Sequence, residues 1–193
     1  DIDTLATLPR EELVNGLAEV IKSAVIRNSN LFNFLDINVN KVLEYHPAVL
    51  ETIVLETARI KAEIVEKDEK EEDLRGILNY GHTIGHAIES ASNYELKHGQ
   101  AVAIGMVAAA RISSRMEILD EVDVVKLERI IEKAGLPREM PDIDKDAVLQ
   151  AMQHDKKVSQ NRVRFVLLKT IGNAFISDEV DPSLVEEVLI GWG

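Results

Sequence analysis

Residues 99–116 read GQAVAIGMVAAARISSRM. From Gly99 to Ala110 only Gln100 is polar, so a helix here would be apolar on every side. Such a helix leaves no face for water and belongs inside a protein. This stretch is therefore expected to be a central, buried helix, with the rest of the chain packed around it. His98 stands at its N-terminal end.

Just upstream, residues 74–89 read LRGILNYGHTIGHAIE and place His82 and His86 four positions apart. On a helix those positions share a face. With His98 they make three histidines within seventeen residues. Imidazole is a common zinc ligand, and a catalytic site takes about three protein ligands with one position open. A bare H-x-x-x-H is more often a solvated or packing face. Here the flanks shift the balance, because Gly81 and Gly85 are poor helix formers. Their place beside both histidines implies that something approaches the backbone closely.

Working outward, residues 1–8 read as a connector. Pro9 opens a helix to about residue 28, with Glu11 and Glu12 at its positive end and Leu13, Leu17, Val20, Ile21 and Ala24 as its apolar stripe. Gly16 inside it is an anomaly, and the Glu19/Lys22 pair has the spacing of a solvated surface couple. Residues 30–46 read as one or two short helices, with His46 in a loop before Pro47. A long helix follows to about residue 66, its stripe including Val49, Ile53, Val54, Ile60, Ile64 and Val65, with Lys61 on its surface. Residues 66–73 are a charge run, a solvated loop or helix end. Residues 82–94 are expected to be helical.

Residues 120–133 form an amphipathic helix through Val122, Val125, Leu127, Ile130 and Ile131, closed by Gly135 before Pro137. A short helix at 144–153 leads into His154-Asp155-Lys156-Lys157. The period then becomes two, and a β-hairpin near residues 162–178 turns at Gly172-Asn173. Pro182 begins a last helix to residue 190. The fold class is thus mainly α with one small hairpin.

The chain has 193 residues, net charge −12, 46% hydrophobic content and no cysteine. It can bury one core of ordinary size. No run is long and apolar enough for a membrane span, so the expectation is a soluble, cytoplasmic protein with no membrane partner. The acidic balance argues against nucleic acid. Any metal must be held by histidine and carboxylate. The first residue is Asp1, so a fragment of a longer protein is expected.

Polar residues on apolar surfaces or beside glycine are Glu19, Lys22, Lys61, Arg75, Asn79, His82, His86, His98 and Asp155-Lys156-Lys157. Glu19 with two histidines would make a His₂Glu set of the catalytic type. The cations with Asn79 suit a substrate bearing carboxylate and phosphate. Spacing alone favours His82 and His86 as the chelating pair and leaves Glu19 open.

The runs LPRE at 8–11, GLAEVIK at 16–22, residues 75–89, HGQAVAIGM at 98–106, the Asp-Lys-Lys group and the hairpin resemble the C-terminal domain of 3-dehydroquinate synthases. The resemblance covers about residues 4–178. It implies the dehydroquinate synthase-like helical domain, the C-terminal half of a two-domain enzyme whose N-terminal NAD-binding half lies outside residues 1–193, and a homodimer. It implies zinc, or cobalt, on Glu19, His82 and His98, with His86 contacting substrate instead. It further implies that Lys61 and Arg75 bind the substrate carboxylate. Lys22 and His86 would contact hydroxyls, and Asn79 with Lys156 or Lys157 would bind phosphate. Thr4, Leu5, Ala6 and Thr7 would touch NAD.

The implied reaction converts 3-deoxy-arabino-heptulosonate 7-phosphate to 3-dehydroquinate and phosphate. Its steps are NAD-dependent oxidation, β-elimination, reduction and aldol closure. The alternatives are another zinc-dependent sugar-phosphate cyclase, and a metal-binding helical domain with no activity of its own. Polyol dehydrogenases leave the Asp-Lys-Lys and Arg-x-x-Leu-Asn elements without a purpose. The His154-Asp155 doublet resembles that of HD phosphohydrolases, but Lys156-Lys157 beside it suits a phosphate contact better.

Overall fold

The computed structural model describes residues 2–68, 74–158 and 163–191, with side chains for all of these except 153–158. Eight helices and one hairpin are described: α1 (Arg10–Arg27), α2 (Ser29–Leu43), α3 (Pro47–Asp68), α4 (His82–Ala91), α5 (His98–Arg115), α6 (Glu121–Lys133), α7 (Lys145–Val158), β1 (Phe165–Thr170), β2 (Asn173–Ser177) and α8 (Pro182–Ile190). Short 3-10 helices cover Ile2–Thr7 and Leu74–Asn79. Residues 2–7 are therefore more ordered than a plain connector, and the Tyr45 hydroxyl holds their end by donating to Leu8 O at 2.6 Å.

The apolar stretch is the hub. Helix α5 packs against α1, α4, α6, α8 and β1, and every residue from Ala101 to Ala110 is buried. Ser113 Oγ, buried on α5, donates to Leu168 O of β1 at 2.6 Å and ties the hairpin to the core. The strands pair antiparallel from Phe165↔Ser177 to Thr170↔Asn173. The turn residues are Ile171 and Gly172, one position earlier than the Gly-Asn turn expected, and Gly172 takes the positive φ of 91°.

Several sequence expectations shift. Residues 29–43 make one helix, capped by Asn28, whose side chain accepts from Leu31 N. Helix α4 stops at Ala91, because Asn93 and Tyr94 adopt left-handed φ of 51° and 61°. On α3, Val54 and Val65 are exposed although they continue the apolar pattern. On α6, Val124 is buried while Val122 and Val125 face out, a one-residue rotation of the expected stripe. Helix α7 continues through residues 154–158 instead of ending near 153. The charge run beyond residue 68 and Trp192 lie outside the described residues.

Candidate metal centre

Three elements far apart in sequence meet at one point. Glu19 is on α1, His82 begins α4 and His98 begins α5. One ligand atom from each lies within 4.8 Å of the other two. Glycine makes the meeting possible. A Cβ on Gly105 of α5 would sit 2.0 Å from Gly81 O and 2.9 Å from Gly85 N, so α4 and α5 touch backbone to backbone. The close approach implied by Gly81 and Gly85 is thus made by α5. Across the other interface, Asn15 Oδ1 on α1 accepts from Gly99 N at 2.5 Å. Asn15 lies one turn before Glu19 and Gly99 follows His98, so this bond sets α1 and α5 in register at the site.

Both rings are oriented. His82 Nδ1 lies 3.2 Å from Tyr80 O. Tyr80 is itself fixed, fully buried with its hydroxyl donating to Met106 O at 2.9 Å. A carbonyl only accepts, so Nδ1 carries the proton of the neutral ring and Nε2 keeps its lone pair. His98 Nδ1 lies 3.2 Å from Glu89 Oε1 in the same sense. Both Nε2 atoms then face Glu19 Oε1, at 3.7 Å from His82 and 3.8 Å from His98. Those separations are too long for hydrogen bonds. Glu19 Oε1 is buried and accepts no hydrogen bond among the described residues. A buried carboxylate oxygen aimed at two nitrogen lone pairs is electrostatically unfavourable unless a cation joins them. The donor set is therefore suited to a divalent ion.

Charge at the site is closely coupled. Lys22 Nζ bonds Glu19 Oε2 at 2.8 Å, and the Lys22 side chain is only 5% exposed. The expected solvated couple is thus a largely buried pair. Burial alone would raise the Glu19 pKa, but the Lys22 hydrogen bond and charge, with His82 and Lys61, hold it below the usual value. Burial lowers Lys22 too, against the pull of Glu19. His82 is pushed down to about 4, first by burial and then by Lys22, so it is neutral near pH 7.

His86 is exposed and sits outside the trio, its ring edge-on to His82 at a centroid separation of 5.1 Å. With Glu89 and His98 it forms a second group of potential ligand atoms within 4.8 Å. Lys61 lies exposed on α3, close enough to act on Glu19 and Lys22. Arg75 and Asn79 are exposed on the 3-10 helix that leads into α4, and the Arg75 N–H is fixed to Asp68 Oδ1 at 3.0 Å. Thr4, Ala6 and Thr7 are exposed while Leu5 packs against the core. The side chain of Lys156 lies outside the described residues. Sequence reasoning gave no role to Asn15, Tyr80 or Glu89. Glu89 was the most accessible of these, seven residues after His82 on the same helical face.

The family model described as 3-dehydroquinate synthase C-terminal matches residues 16–158. The chain belongs to this family. It is 48% identical over 180 residues to a 3-dehydroquinate synthase of Dehalococcoides mccartyi (strain CBDB1), covering 93% of this chain and 50% of that protein. Against the 3-dehydroquinate synthase of Acetivibrio thermocellus it is 44% identical over 194 residues, covering 100% of this chain and 54% of that protein. The chain thus spans about half the length of the curated relatives it matches. Its fold is similar to 2-epi-5-epi-valiolone synthase from Streptomyces hygroscopicus subsp. jinggangensis 5008, solved with NAD+ and Zn2+ (TM-score 0.89, 26% identity, 100% of this chain and 54% of that one). It is also similar to 2-deoxy-scyllo-inosose synthase complexed with carbaglucose-6-phosphate, NAD+ and Co2+ (TM-score 0.84, 29% identity, 100% of this chain and 56% of that one). Among the described residues no helix is long and apolar enough to cross a membrane.

Proposed function

We propose that this chain is the metal-bearing, C-terminal half of a 3-dehydroquinate synthase. Joined to an N-terminal NAD-binding domain, it would convert 3-deoxy-arabino-heptulosonate 7-phosphate to 3-dehydroquinate and phosphate. The observation that carries this is the junction of Glu19, His82 and His98 around a buried, unpartnered carboxylate oxygen, in a chain of this family. Glu19 Oε1 and the Nε2 atoms of His82 and His98 would hold zinc or cobalt, whose contribution is Lewis-acid polarisation of a bound hydroxyl.

The chain's own residues bind and orient. Lys22 keeps Glu19 ionised and can donate to a substrate hydroxyl, and His86 faces the same space from α4. Arg75 and Lys61 supply cations for the carboxylate, where a guanidinium can bind in bidentate fashion. Asn79 and Lys156 serve the phosphate. Helices α4 and α5 begin at His82 and His98, so their positive ends lie beside the site and favour an anionic substrate. Thr4, Ala6 and Thr7, which are exposed, and Leu5 beside them would touch NAD held mainly by the other domain. A homodimer in the cytoplasm completes the proposal. Ile37, Val122 and Val125, each more than half exposed, are apolar surface for association, and sedimentation equilibrium checks the dimer. The absence of cysteine is consistent with the compartment.

The test is to fuse residues 1–193 to the NAD-binding half of a relative and measure phosphate and 3-dehydroquinate. The fused protein should turn over the heptulosonate phosphate, whereas residues 1–193 with zinc and NAD should not. Turnover of glucose 6-phosphate or of a heptulose phosphate lacking the carboxylate, with none of the heptulosonate, would instead assign a different cyclase. Robust phosphate release by the unfused chain would refute the two-half reading.

A further inference from the structure

His98 is the most exposed of the three site residues, at 46% for its side chain against 30% for Glu19 and 14% for His82. A ring that open has little packing to hold it. What holds it is Glu89, whose side chain is only 13% exposed. Its oxygens lie 3.2 and 3.5 Å from His98 Nδ1. Glu89 is on α4 and His98 begins α5, so this contact spans the link between the two helices. An ionised carboxylate can only accept. The pair therefore puts the proton of the neutral ring on Nδ1 and leaves the Nε2 lone pair facing Glu19 Oε1. His82 receives the same orientation from a backbone carbonyl, which no substitution at position 80 can remove. At His98 the device is a side chain and can be deleted.

We propose that Glu89 is a positioning residue that fixes the tautomer and ring plane of His98, and thereby sets the affinity of the Glu19–His82–His98 group for its metal ion. The proposal rests on the metal reading given above. A competing role exists, because Glu89 and His98 also group with His86 as potential ligands of a second ion. Geometry favours positioning. The His98 nitrogen beside Glu89 is Nδ1, which would have to lose its proton to bind metal there, while Nε2 already faces Glu19. Outer partners of metal-bound histidines typically contribute about 10–100-fold to affinity.

The experiment uses the 193-residue chain, which buries one continuous core of its own. Zinc is titrated into wild type, Glu89→Ala and Glu89→Gln against a chromophoric chelator, with bound metal counted per chain. In the metal-free proteins, nitrogen-15 correlated NMR of the imidazoles reports which ring nitrogen of neutral His98 is protonated. Wild type should bind one ion with His98 protonated at Nδ1. Glu89→Ala should bind about 10–100-fold more weakly and populate the Nε2-protonated form. Glu89→Gln, whose amide oxygen still accepts, should keep the tautomer and most of the affinity. Circular dichroism and urea melts separate this from unfolding. Unchanged affinity and tautomer in Glu89→Ala would overturn the proposal. So would two ions in wild type and one in Glu89→Ala, which would make Glu89 a ligand. If wild type binds no ion, the metal reading fails, and the tautomer measurement still decides whether Glu89 orients the ring.

Discussion

Replacing Gly105 by alanine sets two effects of opposite sign against each other. In a helix interior, alanine is favoured over glycine by up to about 1 kcal/mol. Against that, the new Cβ would lie 2.0 Å from Gly81 O and 2.9 Å from both Gly81 C and Gly85 N. These are backbone atoms, so no rotamer change relieves the clash, and α4 and α5 must separate by roughly 1.5 Å to restore ordinary contact. Overpacking of a well-filled core costs about 1–3 kcal/mol, and rigid backbone on both sides puts this case at the upper end. The net loss is therefore about 2 kcal/mol, or about 4–8 °C in Tm for a domain of this size.

Gly16 is the control. It lies inside α1 with no atom within 4 Å of a built Cβ, so Gly16→Ala keeps the propensity gain without the clash. It should stabilise by about 0.5–1 kcal/mol. Urea unfolding with chelator present, compared at a common slope, measures both. A second readout follows from place: Gly81 precedes His82, so separating the helices moves His82 from His98. Zinc affinity should fall in Gly105→Ala and hold in Gly16→Ala. If Gly105→Ala is as stable as wild type or more so, the backbone contact does not govern the α4–α5 junction and the packing argument fails.

Removing Lys22 as Lys22→Met leaves Glu19 half-buried without its cation. We expect a loss of about 1–3 kcal/mol in chelator, partly recovered on adding zinc, and equal loss in both conditions would refute the coupling. Zinc titration of His98→Ala should show stoichiometric binding abolished, while His86→Ala retains it with an affinity reduced at most about 10–100-fold; the reverse pattern would return the ligand pair to His82 and His86. In the metal-free chain the His82 pKa is lowered from 6.5 to about 4, so the unfolded chain binds the extra proton between those values. Stability should be full above pH 6.5 and fall as pH drops toward 4, by up to about 3 kcal/mol. His82→Gln should flatten that window, and an unchanged slope would show that another group carries it.

Much of this was legible in the chain. An all-round apolar helix has one place to go, and residues 99–116 forecast the hub, because burial on every side needs no knowledge of neighbours. What escaped were features decided by neighbours. The Val122/Val124 rotation of α6 is invisible to a periodicity that places valines at 122, 124 and 125 alike near the apolar edge. Lys22 carries the spacing of a surface pair, and only the packing around α1 takes it out of water. Helix α4 ends where Asn93 and Tyr94 turn left-handed, a conformation asparagine tolerates and tyrosine seldom announces. Gly81 and Gly85 signalled a close approach, but not that the approaching object was another helix of the same chain, met at Gly105.

The choice among histidines shows why spacing alone was insufficient. The rule that i and i+4 share a helical face is correct for His82 and His86, whose rings stand 5.1 Å apart. A shared face does not make a shared ligand point, because a ring offers its lone pair only from the nitrogen its partners leave free. His82 Nδ1 is taken by Tyr80 O, and Tyr80 is locked by burial and its bond to Met106 O. Its Nε2 is therefore turned from α4 toward α1, where Glu19 waits with an unpartnered oxygen. His98 Nδ1 is taken by Glu89, and its Nε2 is turned to the same oxygen. The meeting point is decided by two accepted protons and by two helix contacts made at Gly99 and Gly105. None of these follows from a count of residues between histidines.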